Sequence, residues 1–249
     1  MKKWGLIFLI ACMLTLSFSS VQAGYIMTDG YFTYVLENGS LEIKSVSTAI
    51  SGSVTLTSRV AGYPVTSVGP GAFQKCVQLN ELSLPESITN ISINAFQGCI
   101  KLRAIHIAVE NPVYFDDQGV LYTQNKLLLC PPAYSGKLTV PASITEISEK
   151  AAEGCSALTS AILPETIRHI PNRLFYNCTA LGYISFPSAL ESVGDYSFYG
   201  TDLWGCLLYT SSFSLKLSHI IFIKIKSLPS VRRNRLNLDS HRIFHIKLN

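Results

Sequence analysis

The chain has 249 residues, seven cysteines and a formal net charge of +4. That charge sums unlike parts: residues 24–205 hold ten Lys/Arg against fifteen Asp/Glu, a net of −5, and residues 206–249 hold eight Lys/Arg against one Asp, a net of +7. Together with Lys2 and Lys3, this split excludes a reading of the whole chain as a basic protein that binds nucleic acid through its net charge.

Lys2-Lys3, the apolar run Trp4–Phe18 and Val21-Gln22-Ala23 match the n-region, h-region and small-x-small site of a secretory signal peptide. Cleavage is expected between Ala23 and Gly24. A membrane anchor is the alternative, but an apolar run of about 15 residues is short for a span. Leu9-Ile10-Ala11-Cys12 imitates a lipoprotein box, yet the apolar stretch before Cys12 is very short for lipidation there. Residues 24–75 are expected to form an N-terminal β region and a first, atypical repeat.

From Cys76 the chain repeats every 23 residues. Cys76 and Cys99 keep that spacing, as do Cys155 and Cys178, Phe73 and Phe96, and Phe175 and Phe198. The unit from Cys76 places Leu79, Leu82, Leu84, Ile88, Ile91 and Phe96 at its apolar positions, with Pro85 directly after Leu84. The units from Pro132, Cys155 and Cys178 repeat these offsets. A fixed period of this length with regular leucines implies a solenoid rather than a globular enzyme domain.

The slots also suggest the shape of one coil. Leu82-Ser83-Leu84 alternates as a short strand, with the leucines inward. Pro85 ends it, having no N–H for the ladder. Ile88 and Ile91 suit a second short segment, and Asn94–Gly98 a single helical or 3₁₀ turn inserting Phe96. One such unit cannot fold alone. Ordering its backbone costs roughly 1–2 kcal/mol per residue, which seven buried side chains at about 1.5–3 kcal/mol each do not offset. Stability must come from stacking.

The unit from Cys99 has ten extra residues. Residues 111–131 therefore read as an insertion carrying a hairpin, with strands over Phe115–Tyr122 and Lys126–Cys130 around Thr123-Gln124-Asn125.

The pattern C-x-x-L-x-x-L-x-L-P-x-x-I-x-x-I-x-x-x-A-F-x-x-C, nearly unbroken from Cys76 to Cys99, resembles the BspA-like leucine-rich repeat family of secreted and surface proteins. NPVYFDDQGVLYTQNKLLL resembles that family's irregular long repeat, and YVLENGSLEI its usual opening. The likeness covers residues 24–203. It implies a leucine-rich repeat solenoid that is curved and mostly β, with short parallel strands and little helix. It also implies a binding or adhesive role, without shared catalytic residues or a ligand.

Six cysteines in an exported chain usually suggest disulfides. Here Cys76, Cys99, Cys155 and Cys178 share one repeat slot, which favours a ladder of buried free thiols. Cys130 sits in the insertion without an obvious partner. No C-x-x-C pair supports a metal site, and no cofactor is expected. The repeats contain only His106 and His169, with no nucleophile-elbow, metalloprotease or phosphate-loop motif. Asp116-Asp117 fits a solvated turn better than acid or metal chemistry. Asn38, Asn90 and Asn177 open glycosylation sequons, relevant only in a eukaryotic secretory pathway.

Beyond Phe198 the register requires a cysteine, a leucine and an apolar residue; the chain has Thr201, Trp204 and Leu207. Residues 206–249 therefore read as a non-repeat tail. A basic arm around Arg232-Arg233-Asn234-Arg235 and a capping segment are two readings of it. The favoured third is a non-native segment, because Cys206–Ser211 resembles the translation of a transposon-end adapter used in sequencing libraries. On that reading Leu190, Val193 and Phe198 are expected to lie partly exposed at an open solenoid end.

The expected function is that of an exported, non-catalytic binding protein for surface adhesion. Its candidate face comprises the outward strand positions Ser83, His106, Thr139, Ile162 and Ser185, with Glu81, Lys137, Ser160 and Tyr183 two residues earlier. The face has no charge cluster, so the expected partner is a protein or glycan, for instance on a host surface, and not nucleic acid. Membrane association would need the leader or an anchor absent from this sequence. An accessory module of a larger surface enzyme and a structural spacer remain as alternatives.

Overall fold

The computed structural model describes residues 25–203. The expected leader with its Ala23–Gly24 junction, Cys12, and the tail 206–249 lie outside the described residues.

The chain opens as an antiparallel meander of β1 (Tyr25–Thr28), β2 (Phe32–Glu37) and β3 (Ser40–Val46). Asn38 and Gly39 join β2 to β3 with φ of 50° and 78°, the left-handed pair that a two-residue hairpin turn requires. After β4 (Ser51–Thr55), the hairpin of β5 (Arg59–Val60) and β6 (Tyr63–Val68) returns the chain to β3. There β6 pairs with β3 in parallel, and that pairing converts the meander into a solenoid.

Each coil then carries a long and a short strand. The long strands are β7 (Gln78–Leu84), β9 (Ala104–Ile107), β13 (Gly136–Thr139), β15 (Leu158–Ile162) and β17 (Tyr183–Ser185). The short ones are β8 (Asn90–Ile91), β14 (Glu146–Ile147), β16 (His169–Ile170) and β18 (Ser192–Val193). Parallel ladders β4–β7–β9 and β13–β15–β17 line one side, and pairs β6–β8 and β16–β18 line another. Pro85, Pro141, Pro164 and Pro187 each end a long strand and accept a turn bond from the residue three later, such as Ile88 N–H at 3.3 Å.

The Asn94–Gly98 corner is a run of hydrogen-bonded turns, with Ala95 N–H to Ser92 O at 2.9 Å, rather than a helix. Coil-to-coil bonds hold these corners, among them Phe73 N–H to Ala95 O and Lys75 N–H to Gln97 O, both 2.9 Å. These bonds tie the turn backbone to its neighbour and do the work that a helical ladder would do internally. The residue before each cysteine slot is left-handed: Lys75, Gly98, Gly154, Asn177 and, before Thr201, Gly200.

The insertion contains three strands where two were expected. Phe115–Tyr122 breaks at Gln118–Gly119, both with positive φ, into the hairpin of β10 (Tyr114–Asp117) and β11 (Val120–Thr123). β12 (Lys126–Leu129) pairs antiparallel with β11 and parallel with β14. β11 is a wall between two cores. Val120 and Tyr122 pack into the C-terminal cluster and Leu121 into the N-terminal one, as alternation along a strand dictates.

One expectation is corrected. Leu190, Val193 and Phe198 are buried, at 6%, 7% and 2% exposure, and do not form an exposed edge. Phe198 stacks on Phe175 at 6.0 Å and meets Phe186 edge-on at 5.6 Å. Thr201 takes the place of a cysteine and is buried at 3%, with its hydroxyl donating to Phe198 O at 2.8 Å. A hydroxyl fills the thiol's slot because it can satisfy itself within its own coil.

Candidate binding face

The structure sets the C-terminal candidate residues in two parallel rows. Lys137, Ser160 and Tyr183 are register partners across β13, β15 and β17, and so are Thr139, Ile162 and Ser185. Between the rows, Leu138, Ala161 and Ile184 point into the core at 2%, 0% and 3% exposure. Neighbours within a row lie about 4.8 Å apart across the strands, and the two rows about 6.6 Å apart along them. Lys137, Thr139 and Tyr183 are exposed, while Ser160, Ile162 and Ser185 are half-buried. Glu81 and Ser83 occupy a separate ladder, aligned with Ser53–Glu81–Ala104 and Thr55–Ser83–His106.

The expected face is thus divided, because β9 and β13 share no ladder. The insertion covers the free edge of β9: Ile105 N–H donates to Gly119 O at 2.9 Å, and Ile107 N–H to Asp116 Oδ1 at 2.8 Å. Asp116 Oδ2 accepts from Gly119 N–H at 3.2 Å and lies 3.5 Å from His106 Nδ1. Asp116 is therefore an edge cap and not merely a solvated turn residue. Gly119 is required by contact as well as by its φ of +82°, since a Cβ there would sit 2.5 Å from Ala104 Cβ. Asn111 ties down the start of the insertion: its amide donates to Ile88 O at 2.8 Å and its carbonyl accepts from Tyr114 N–H at 2.8 Å.

An open hollow of about 330 Å³ lies at this division, lined by Glu81, Arg103, His106, Gln118, Tyr134 and Ser135. Glu81 Oε1 accepts from Arg103 Nε and Nη2 at 3.0 and 2.9 Å, and Oε2 from Ser53 Oγ at 2.8 Å. The Ser53 hydroxyl, followed by the Arg103 guanidinium, holds the Glu81 carboxyl below its ordinary pKa. Tyr134 donates its hydroxyl to Lys137 O at 3.1 Å, and burial raises its pKa. Sequence reasoning missed Ser53, Thr55, Arg103, Gln118 and Tyr134. The only signal for Arg103 was its place 23 residues after Asn80, one step off the outward positions.

Behind the face, Cys76, Cys99, Cys130, Cys155 and Cys178 are buried free thiols. Cys99 Sγ donates to Phe73 O and Cys178 Sγ to Ala152 O, each at 3.0 Å and each reaching the preceding coil. Burial pushes the Cys99 thiol up to about 12, and the neighbouring Cys155 thiol, followed by burial, raises Cys178.

Ser83 and His106 are ladder partners beside Asp116, but among the described residues no hydrogen bond joins Ser83 to His106. His169 Nδ1 lies 2.8 Å from Ser192 Oγ on the exposed short-strand side. Among the described residues no group of three His, Cys, Asp or Glu side chains is placed to hold a metal ion, and no helix is long and apolar enough to cross a membrane.

No curated protein matches the chain. Several solved structures are similar to it. A leucine-rich repeat protein from Bacteroides ovatus is 21% identical over 71% of this chain and 57% of its own, with a TM-score of 0.45. One from T. pallidum is 22% identical over 81% of this chain and 97% of its own, with a TM-score of 0.48. A leucine rich cell surface protein from Faecalibacterium prausnitzii is 19% identical over 74% and 56%, with a TM-score of 0.47. The chain spans little more than half of the first and third. The BspA type leucine-rich repeat pattern matches in six copies over residues 44–122 and 134–226, reaching past the last described residue. With more than half of its length in that pattern and a coil built on the same slots, the chain belongs to the BspA type leucine-rich repeat family.

Proposed function

We propose that this chain is an exported, non-catalytic binding protein that uses its ladder side to recognise a protein or glycan, in the service of adhesion at a cell surface. The supporting observation is the paired rows Lys137–Ser160–Tyr183 and Thr139–Ile162–Ser185, a broad platform of mixed hydroxyl, aliphatic, aromatic and cationic groups held in register. Tyr183 is 47% exposed and supplies an amphipathic ring of the kind enriched in recognition surfaces. The absence of a Ser83–His106 bond among the described residues argues against a nucleophile relay. The net charge of −5 over residues 24–205 disfavours nucleic acid. Export follows from the leader, with cleavage after Ala23, and predicts a secreted form beginning at Gly24.

The test is binding of the full chain to immobilised extracellular-matrix proteins and to a glycan array. Saturable binding that Tyr183→Ala weakens is the expected result. A chain that binds neither set, or whose binding ignores Tyr183, Lys137 and Thr139 alike, contradicts the proposal.

A further inference from the structure

The hollow between the two ladders carries a more specific inference, which rests on the binding role proposed above. The carboxylate that lines it, Glu81, and the neighbouring Asp116 are already committed. Glu81 accepts three hydrogen bonds from Ser53 and Arg103, and Asp116 accepts two from the backbone and faces His106. Its donors are not. Arg103 spends Nε and Nη2 on Glu81, and among the described residues Nη1 has no hydrogen-bond partner. Among the described residues Gln118 is engaged only through its carbonyl, 3.4 Å from the Tyr134 hydroxyl, and its amide N–H groups have no partner. His106 Nδ1 faces Asp116 Oδ2 at 3.5 Å.

A ligand matching this set needs an anionic acceptor at the Arg103–Gln118 end and, at the His106 end, a hydroxyl that can donate or accept. The volume, about 330 Å³, falls at the lower end of small-ligand sites and suits one sugar ring. The site is also held in place: Glu81 orients the guanidinium, Asp116 faces the His106 ring at 3.5 Å, and Gln118 sits in the left-handed turn of the β10–β11 hairpin. We infer that the hollow is a subsite for one carboxylated sugar unit of a glycan, with the carboxylate on Arg103 and Gln118 and a ring hydroxyl on His106.

The experiment compares methyl glucuronide, methyl glucoside and acetate as probes of the full chain by titration calorimetry or ligand-observed NMR. The acid sugar is expected to bind about tenfold or more tightly than the neutral one, as one charge-assisted contact implies. Arg103→Gln should erase that gap with an unchanged melting temperature, because the side chain is exposed. His106→Ala should weaken the acid sugar while leaving acetate unaffected. Equal affinity for the two sugars, a gap that survives Arg103→Gln, acetate binding as tightly as the acid sugar, or no binding of the acid sugar would each overturn the inference. If the array of matrix proteins and glycans still shows Tyr183-dependent binding in such a case, only this inference fails. An array without signal sinks the broader reading.

Discussion

Asp116 Oδ1 accepts the backbone N–H of Ile107 at 2.8 Å, so a side chain of the insertion completes the edge of β9, where the insertion interrupts the ladder. The break in the ladder is thereby closed chemically. Asp116→Ala would leave the N–H groups of Ile107 and Gly119 without this acceptor, and Asp116→Asn would retain one. The first is expected to cost about 1–3 kcal/mol and the second less, measured by urea denaturation. Equal stability of the Ala variant and the parent would show that water substitutes freely at this edge.

Phe96 is 4% exposed and its ring lies 5.5 Å from that of Phe73. Phe96→Ala should destabilise by about 3–5 kcal/mol, and because coils stabilise each other the loss should reach adjacent repeats. Hydrogen exchange should report weakened protection at Phe73 and Ala95 as well. An unchanged melting temperature would contradict the stacking described here.

The thiol column yields a pH window. The folded-state pKa of Cys99 is raised from 9.0 to about 12, so folding favours the neutral thiol. This contribution is fully present below pH 9 and is lost as pH rises towards 12. The protein should therefore lose stability over that alkaline range, and Cys99→Ala should flatten the loss. Below pH 9 the native chain should react with a thiol reagent slowly at Cys99, and quickly once denaturant is added. Rapid native labelling of Cys99 would contradict its burial.

The repeat was legible because a solenoid imposes one environment on every coil. Leu82 in the N-terminal core and Ala161 and Ile184 in the C-terminal one fill the same slot of their coils, so their period appears directly in the sequence. The same logic located the outward rows Lys137–Ser160–Tyr183 and Thr139–Ile162–Ser185. It failed where the environment occurs once. Ser53 and Thr55 sit on a strand with no Leu-Pro ending or cysteine slot, so nothing in the period flags them. Gln118, Tyr134 and the Asp116 cap belong to the single insertion, and their roles follow from tertiary contacts between segments of unequal length. The buried state of Leu190, Val193 and Phe198 was missed for a related reason. A sequence register shows where a repeat ends but not how its last side chains pack on one another.

The central claim is that the outward rows recognise a partner. The most direct measurement compares the Lys137→Ala/Tyr183→Ala double variant with the control Arg168→Ala/His169→Ala, which alters the short-strand side, for binding to the matrix-protein and glycan set. The account predicts a loss of about tenfold or more for the first, consistent with removal of an aromatic anchor, and parental affinity for the second. Undiminished binding by the ladder variant, or a loss confined to the control, would contradict it.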